Sequence, residues 1–175
     1  MNVTWLAGVR YFRFNETVTF GAASIGTDFG DDGGVDEAFM RFRVDNSLIG
    51  PQIGFRAEYN LTEKFGLYAM PKIGIYGTSI DSNMQLYRGD GLSVYNIDGH
   101  KNDFSMLAQI DVGATYQVAR NWRLYAGYRV IAVSQLALAD NQFLPYLADT
   151  TGFAAVKSNG DLLLNGGMLG LEYNF

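Results

Sequence analysis

Apolar and polar residues alternate with a period of two along most of this chain. From Phe104 to Val118 every second residue is apolar, and the residues between them are mostly polar or small. The last stretch, Leu162–Phe175, alternates in the same way, with an aliphatic and aromatic face opposite a polar and glycine-rich one. Such a period is that of a β-strand. The pattern therefore predicts strands, and no segment longer than about 12 residues has the period of a helix.

Six strands are predicted, and the terminal stretch is the sixth. Pro51, within the second strand, is expected to mark a bulge or an edge with a change of register, because proline cannot donate a ladder hydrogen bond. The third strand starts at Phe65, its alternation fades after Gly77, and a hairpin tip at Arg88–Gly91 extends this strand pair. The other strands are predicted at about Val3–Phe20, Ala38–Tyr59, Asp103–Val118 and Trp122–Leu138.

The connections alternate between long and short. Gly26–Asp36, the hairpin tip and Asp140–Gly160 are long, whereas Asn60–Lys64 and Ala119–Asn121 are short. Outer-membrane barrels have short periplasmic turns and long extracellular loops. With Phe175 at the periplasmic end, both short turns fall on the periplasmic side, in agreement with that rule.

Composition supports a membrane barrel over a soluble domain. Only 18% of the 175 residues are charged, 21 are glycine, 11 are tyrosine and 12 are phenylalanine, against about 25% charged residues in soluble domains. The net charge of -5 argues against nucleic acid as a partner, and the absence of cysteine excludes disulfides. We predict an all-β fold, an antiparallel up-and-down transmembrane β-barrel that forms a single domain over residues 1–175, with its apolar faces towards lipid.

The number of strands is low for such a barrel. The smallest single-chain bacterial barrels have about eight strands, and a barrel of about that size has an interior that side chains fill. The chain also has no secretory signal peptide. We therefore expect eight strands in the intact protein and a missing N-terminal hairpin, with a hairpin hidden in a long loop as the alternative.

Polar residues on the inward faces are the candidate lumen. They include four cations and three carboxylates, and unpaired charges in a narrow lumen are costly, so pairing is expected. Two interpretations stay open, a salt-bridged plug that fills the barrel and a narrow, weakly charged channel. The predicted lumen-facing polar residues are Arg10, Gln52, Arg56, Glu58, Lys72, Gln109, Asp111, Arg129 and Glu172.

Aromatic residues are expected at the two membrane interfaces. Trp5, Tyr59, Phe65 and Trp122 form the predicted girdle at the periplasmic side, whereas the candidates for the outer girdle are Phe14, Phe39 and Phe104. The ending Leu-Glu-Tyr-Asn-Phe resembles the terminal strand of bacterial outer-membrane barrels. That resemblance implies that Tyr173 and Phe175 form the signal read by the barrel-insertion machinery.

Three blocks of the sequence resemble a known family. WLAGVRYFRFNE (Trp5–Glu16), NSLIGPQIGFRAEYNLTEKFGLYAMPKIGIYG (Asn46–Gly77) and GLEYNF (Gly170–Phe175) resemble the numbered outer-membrane β-barrel family abundant in planctomycetes, which is similar to pore-forming barrels of Legionella type. The resemblance implies an outer-membrane location, a further N-terminal strand region and an export signal. It implies no catalytic residue.

Other candidate chemistry is weaker. Asp28, Asp31, Asp32 and Asp36 crowd the first loop and are candidate oxygen ligands for calcium, but their spacing matches no calcium loop. His100 is the single histidine and lies near acidic residues and a serine, without the sequence context of a catalytic triad. We expect no cofactor and no bound metal.

The leading hypothesis is therefore a non-enzymatic bacterial outer-membrane barrel, either a small passive pore or a plugged structural barrel with extracellular loops. Its expected partners are outer-membrane lipid, lipopolysaccharide and the insertion machinery, and its oligomeric state is open. Two alternatives remain: a soluble lipocalin-like calyx, with the apolar face inward and the arginines outward, and an outer-membrane lipid-modifying enzyme that uses His100.

Overall fold

The alternating segments form six antiparallel strands in a computed structural model, which describes residues 1–24, 34–143 and 150–173. A 3-10 helix, Asp140–Gln142, and a short helix α1, Thr150–Ala154, lie between the last two strands. Within the described residues no helix is long and apolar enough to cross a membrane. The strands are β1 Asn2–Ala23, β2 Glu37–Asn60, β3 Phe65–Arg88, β4 Ser93–Ala119, β5 Trp122–Leu136 and β6 Gly160–Tyr173.

Each strand pairs with the next along the chain, so the topology is up-and-down, as predicted. The sheet is curled, because side chains on one of its faces meet across strands that are not neighbours. Arg10 on β1 donates to Gln109 on β4 at 2.6 Å, and Arg123 on β5 lies 3.6 Å from Glu58 on β2. The described strands therefore form a half-barrel, with an inner concave face and an outer convex face.

The outer face carries a continuous apolar band. The band covers 9 residues of β1 (Val3–Tyr11) and 11 residues of β2 (Ile49–Tyr59), with similar widths on β3, β5 and β6, and it extends from Phe104 to Val118 on β4. Residues on it are well exposed, with Val9 at 75%, Ile53 at 63% and Leu169 at 75%. A tilted strand needs about 9–11 residues to cross the apolar layer of a membrane.

The apolar band ends at one row of ladder partners that runs across four strands. Tyr11 pairs with Ile49, Ile49 with Gly77, and Gly77 with Phe104. Beyond this row, which we call the inversion row, the pattern reverses. Outer positions become polar, and most of the large inner side chains become apolar. We call the two parts of the sheet the turn half, which contains the short turns, and the loop half, which contains the long connections.

The inversion explains why the alternation fades after Gly77 in the sequence. Outer positions beyond it on β3 are Ser79, Asp81, Asn83 and Gln85, and the inner position Ile80 is fully buried. The strand nevertheless continues to Arg88, and β4 starts at Ser93, so the predicted extension of this strand pair is confirmed. β4 is consequently 27 residues long and starts ten residues before the predicted start at Asp103.

The prediction for Pro51 was wrong. β2 lies between β1 and β3, and Pro51 pairs with Val9 without any shift of register. Pairing of β2 with β3 is interrupted after Ile49 and resumes at Gln52 in the same register. The sheet therefore accommodates the missing N–H locally, without a bulge.

Two buried cores fill the concave face. The inner core lies at the level of the inversion row, with Phe12, Phe14, Leu138 and Leu162 packed against it, and consists of Leu48, Tyr76, Leu107, Ile131, Val133 and Leu136. The outer core lies in the loop half and consists of Phe42, Val44, Ile80, Met84, Ala137, Ala139 and Phe153. Phe14 therefore faces inward and Phe39 is buried against Tyr87, so neither is an exposed girdle residue. Of the three outer-girdle candidates only Phe104 is exposed.

Candidate lumen site

Gln109 is the centre of a polar network on the concave face of the turn half. Its side-chain oxygen accepts a hydrogen bond from Arg10 at 2.6 Å, and its nitrogen donates to both carboxylate oxygens of Asp111 at 2.9 and 3.0 Å. Arg129, the cross-strand partner of Asp111, donates two bonds to the same carboxylate at 2.7 and 2.8 Å. Asp111 is fully buried. Because its charge is matched by a forked guanidinium, this buried carboxylate is stabilised.

A second ion-pair network lies nearer the turns. Arg56 and Glu58, two residues apart on β2, pair at 2.5 Å, and Arg123 reaches Glu58 from β5 at 3.6 Å. The Arg56 guanidinium also lies 5.1 Å from the ring centre of Tyr68. The carboxylate thus has two cations beside it, and the aromatic ring provides further stabilisation for one of them.

Glycine residues make room for the inner tyrosines. A side-chain carbon at Gly127 would lie 2.5 Å from the Tyr68 hydroxyl, and one at Gly170 would lie 2.2 Å from the Tyr125 ring. Tyr76 extends from the inner core, and its hydroxyl donates to Gln52 at 3.3 Å. The inner face of the turn half is therefore occupied by ring edges and paired charges around a cleft of about 700 Å³.

All nine predicted lumen-facing residues lie on the concave face. The networks include Arg10, Gln52, Arg56, Glu58, Gln109, Asp111 and Arg129. Lys72 and Glu172 lie on the same face, opposite Gln109 and Arg123 in the ladder. Whether water fills the space between these residues remains a prediction.

The described parts of the connection between β5 and β6, residues 137–143 and 150–159, pack over the concave face in the loop half, and we call them the β5–β6 segment. The Asn46 side chain donates to the carbonyl of Ala137 at 2.8 Å and accepts from its N–H at 2.9 Å. The Glu16 carboxylate accepts from the N–H of Ala139 at 2.8 Å. Phe153 of α1 is part of the outer core. The segment is therefore held by β1 and β2, far from it in sequence, and by apolar packing.

Further hydrogen bonds hold the end of this segment. The Gln142 amide donates to the carbonyl of Lys157 at 2.8 Å and accepts from the N–H of the same residue at 3.0 Å. Lys101 on β4 donates to the Ser158 hydroxyl at 2.6 Å and pairs with Asp103 at 2.8 Å. Both ends of the segment are thus tied to the sheet or to each other.

The outer face of the loop half is polar and carries surface ion pairs. Arg13 pairs with Asp45 through two hydrogen bonds, and this contact holds the pKa of the Asp45 carboxyl below its usual value. His100 lies 2.7 Å from Asp81 on this face. No serine is hydrogen-bonded to His100 within the described residues, and Ser105, on the opposite face, bonds to Thr78 at 2.7 Å instead. The geometry of a catalytic triad is therefore absent from the described part of the chain.

The predicted girdle residues lie on the convex face of the turn half. Trp5 is 79% exposed, and Tyr59, Phe65 and Trp122 are also exposed. Tyr173 lies beside Trp122, with ring centres 4.9 Å apart, at the same end of the sheet. Phe175 lies outside the described residues. The roles of these residues at a membrane interface and in insertion remain predictions.

Comparison with known families agrees with this architecture. The model of the family described as "Putative beta barrel porin-7 (BBP7)" matches residues 1–175. The chain belongs to this family. No curated protein and no solved structure matches the chain. An apolar convex band on an up-and-down sheet is the arrangement expected of a β-barrel porin family.

The candidate calcium ligands in this porin-family chain are only partly described. Asp28, Asp31 and Asp32 lie outside the described residues. Asp36 is exposed, and its carbonyl oxygen accepts from the N–H of Ser24 at 3.1 Å. In the part of the chain that the structure describes, no cluster of three acidic or histidine side chains has the geometry of a metal site.

Sequence reasoning missed two important residues. Arg123 has the same parity as the inward residues Tyr125 and Arg129. The alternation therefore predicts that its side chain faces inward, although the four predicted inward cations do not include it. Asn46 was missed for a different reason. Its partner Ala137 lies 91 positions away in the chain, and no local pattern indicates that contact.

Proposed function

We propose that this protein is a non-enzymatic outer-membrane β-barrel whose interior is closed in the loop half by its own β5–β6 segment. The observation that carries the proposal is the pair of hydrogen bonds between Asn46 and Ala137, which fix the segment inside two buried apolar cores. A water-filled pore needs a polar or open interior along its whole length. The loop half instead has a buried apolar core, crossed by the hydrogen bonds of Asn46 and Glu16, that resembles the core of a soluble domain.

The apolar band supports the outer-membrane location. Its width on β1 and β2 matches the strand length that a membrane requires, and polar residues follow it on the loop side. Lipid and lipopolysaccharide are then the proposed partners of the convex face, and the insertion machinery is the proposed partner of the terminal strand. The likeness to planctomycete and Legionella-type barrels is a finer proposal of the same kind. Because lipid leaves unpaired backbone groups unsatisfied, the proposal also requires that the free edges of β1 and β6 be paired in the membrane.

Current measurements across a planar lipid bilayer test the closure. The proposal predicts no steady conductance for the protein and a steady conductance for a variant in which residues 138–158 are replaced by a short glycine–serine turn. The replacement is geometrically reasonable, because Leu136 and Gly160 are ladder partners. A steady conductance of the same size in both proteins contradicts the closure.

A narrow open channel is the second candidate, favoured by the cleft beside Asp111 and Arg129 in the turn half. The two candidates differ in the bilayer experiment, since only the channel conducts with the segment in place. The soluble-calyx alternative fails in the turn half, where the described arginines face inward and the apolar residues outward. An enzyme that uses His100 lacks the bonded serine described above.

A further inference from the structure

Positive charge exceeds negative charge on the inner face of the turn half. The described ionisable residues there are five cations and three carboxylates, once Arg123 is included: Arg10, Arg56, Lys72, Arg123, Arg129, Glu58, Asp111 and Glu172. Two of these three carboxylates are engaged in ion pairs. Asp111 is bound by Arg129, and Glu58 is bound by Arg56 and Arg123.

Two cations lack a carboxylate. Within the described residues, no acidic side chain is within ion-pair distance of Arg10 or Lys72. Arg10 instead donates to the neutral amide of Gln109 at 2.6 Å. Lys72 is half-buried, and its chain lies over Gly54, where a side-chain carbon would be 2.8 Å from Lys72 Cγ.

Both of these cations lie next to the Gln109 side chain. Lys72 is the direct cross-strand partner of Gln109, on the same face, and the Arg10 guanidinium touches the Gln109 side chain. Directly opposed side chains lie about 5 Å apart at their β-carbons. Two like charges that share one neighbouring side chain repel each other, and partial removal from water strengthens the repulsion. A small anion between them would convert this repulsion into attraction.

We propose that Arg10 and Lys72, with the amide of Gln109 between them, form a binding site for a small soluble oxyanion such as inorganic phosphate. A tetrahedral oxyanion offers several acceptor oxygens, which suits a guanidinium and an ammonium group together. Arg129 and Gln109 donate hydrogen bonds to both oxygens of Asp111, and neither Arg10 nor Lys72 is within ion-pair distance of that carboxylate. The site goes beyond the proposed barrel function and does not depend on closure of the loop half.

Phosphorus NMR tests the site on the protein folded in a phosphate-free zwitterionic detergent. Inorganic phosphate is the probe, and its line width is followed as protein is added. We expect saturable broadening, with affinity about tenfold lower in Lys72→Gln and in Arg10→Gln, because each loses a charge-assisted hydrogen bond. Lys72→Arg, which keeps the charge, retains binding. The matched control is Arg41→Gln, which removes a cation from the outer face of the loop half and leaves binding unchanged.

Three outcomes overturn the proposal. The first is no saturable broadening with the unaltered protein. The second is equal broadening in the Lys72→Gln and Arg10→Gln proteins, once circular dichroism has shown that both are folded. The third comes from repeating the titration in vesicles of anionic phospholipid. Phosphate still binds there if the site takes a soluble ion, whereas loss of binding means that lipid headgroups occupy it.

Discussion

Asn46 is the residue on which the proposed closure of the loop half most clearly depends. Its amide satisfies both the N–H and the carbonyl of Ala137, and all three groups are buried. In Asn46→Leu, which keeps the size of the side chain, both backbone groups lose their partner. A buried group without a partner costs about 1–3 kcal/mol. We therefore expect a lower free energy of unfolding and faster amide hydrogen exchange in residues 137–143.

The control for this variant is Asn83→Leu. Asn83 lies on the outer face and bonds to the side chains of Asn96 and Asp98, both at 2.7 Å. Its loss is expected to change stability by no more than about 0.5 kcal/mol, as is usual at exposed positions. Hydrogen exchange at the unaltered rate in Asn46→Leu contradicts the role given to that residue.

A second residue-scale prediction concerns the β3–β4 tip. The Arg88 guanidinium donates two hydrogen bonds to Asp90, and this contact lowers the pKa of that carboxyl from 3.8 to about 2. Because the pKa is depressed in the folded state, the pair contributes above pH 3.8, and its contribution is lost as the pH falls through about 2. Carbon NMR of the Asp90 carboxyl measures this titration. The Arg88→Gln variant is expected to return the pKa towards 3.8, and equal values in the two proteins contradict the pairing.

The sequence predicts which face of the sheet each side chain lies on, but it does not predict which side chains contact each other. Parity alone placed Arg10, Lys72 and Asp111 on the inner face. Which charges meet depends on the curl of the sheet, since Arg10 and Gln109 are 99 positions apart on strands that are not neighbours. Nothing in the local pattern of either strand contains that information.

At the scale of the strand, the inversion row divides each long strand into two environments. Ile110 lies in the middle of the apolar band of β4, whereas Asn102 lies on the same face beyond the row. Arginine at the centre of a bilayer-facing surface costs about 2–4 kcal/mol, against about 0–1 kcal/mol near an interface. We expect Ile110→Arg to reduce the free energy of unfolding in lipid vesicles by the larger amount and Asn102→Arg by the smaller. Equal losses, measured by guanidinium titration, contradict a lipid-facing band.

Glycine packing between strands gives a further prediction. In Gly127→Ala the new carbon would lie 2.5 Å from the Tyr68 hydroxyl and 2.6 Å from the carbonyl oxygen of Val112. Such overpacking costs about 1–3 kcal/mol. Gly167→Ala is the control, since it lies beside Tyr128 on β5 and has open space around it. We expect denaturant titration to show a loss of stability for Gly127→Ala alone, and unchanged stability for both variants contradicts the proposed packing.

The strands themselves were well predicted in the turn half and less well in the loop half. Apolar and polar residues alternate cleanly along the apolar band, because a face towards lipid favours apolar side chains and a face towards a lumen favours polar ones. Beyond Gly77 the same alternation continues with its polarity reversed, so a search for one constant apolar face finds a fading pattern. The prediction for Pro51 was wrong for a related reason. The rule that proline disrupts a strand takes no account of β1 and β3, the neighbouring strands that keep β2 in register.

At the scale of the whole molecule, one chain combines a membrane-type half-barrel with a loop half built like a soluble domain. The lipocalin-like alternative described an apolar interior, and that arrangement exists, but only at the level of the inversion row and beyond it. The family match and the up-and-down sheet agree on a porin-like barrel. The proposed closure by the β5–β6 segment could not be predicted from the sequence, since residues 138–158 have no strand pattern. The expectation of eight strands remains a prediction.

The most direct test of the inversion row is thiol labelling along the outer face of β3. The chain has no native cysteine, so single cysteines at Ile73, Ile75, Ser79 and Gln85 report one position each. In lipid vesicles, we expect a lipid-phase reagent alone to label the cysteines at Ile73 and Ile75, and a water-phase reagent alone to label those at Ser79 and Gln85. Labelling of all four from water, or a change of environment at any place other than between Ile75 and Ser79, contradicts it.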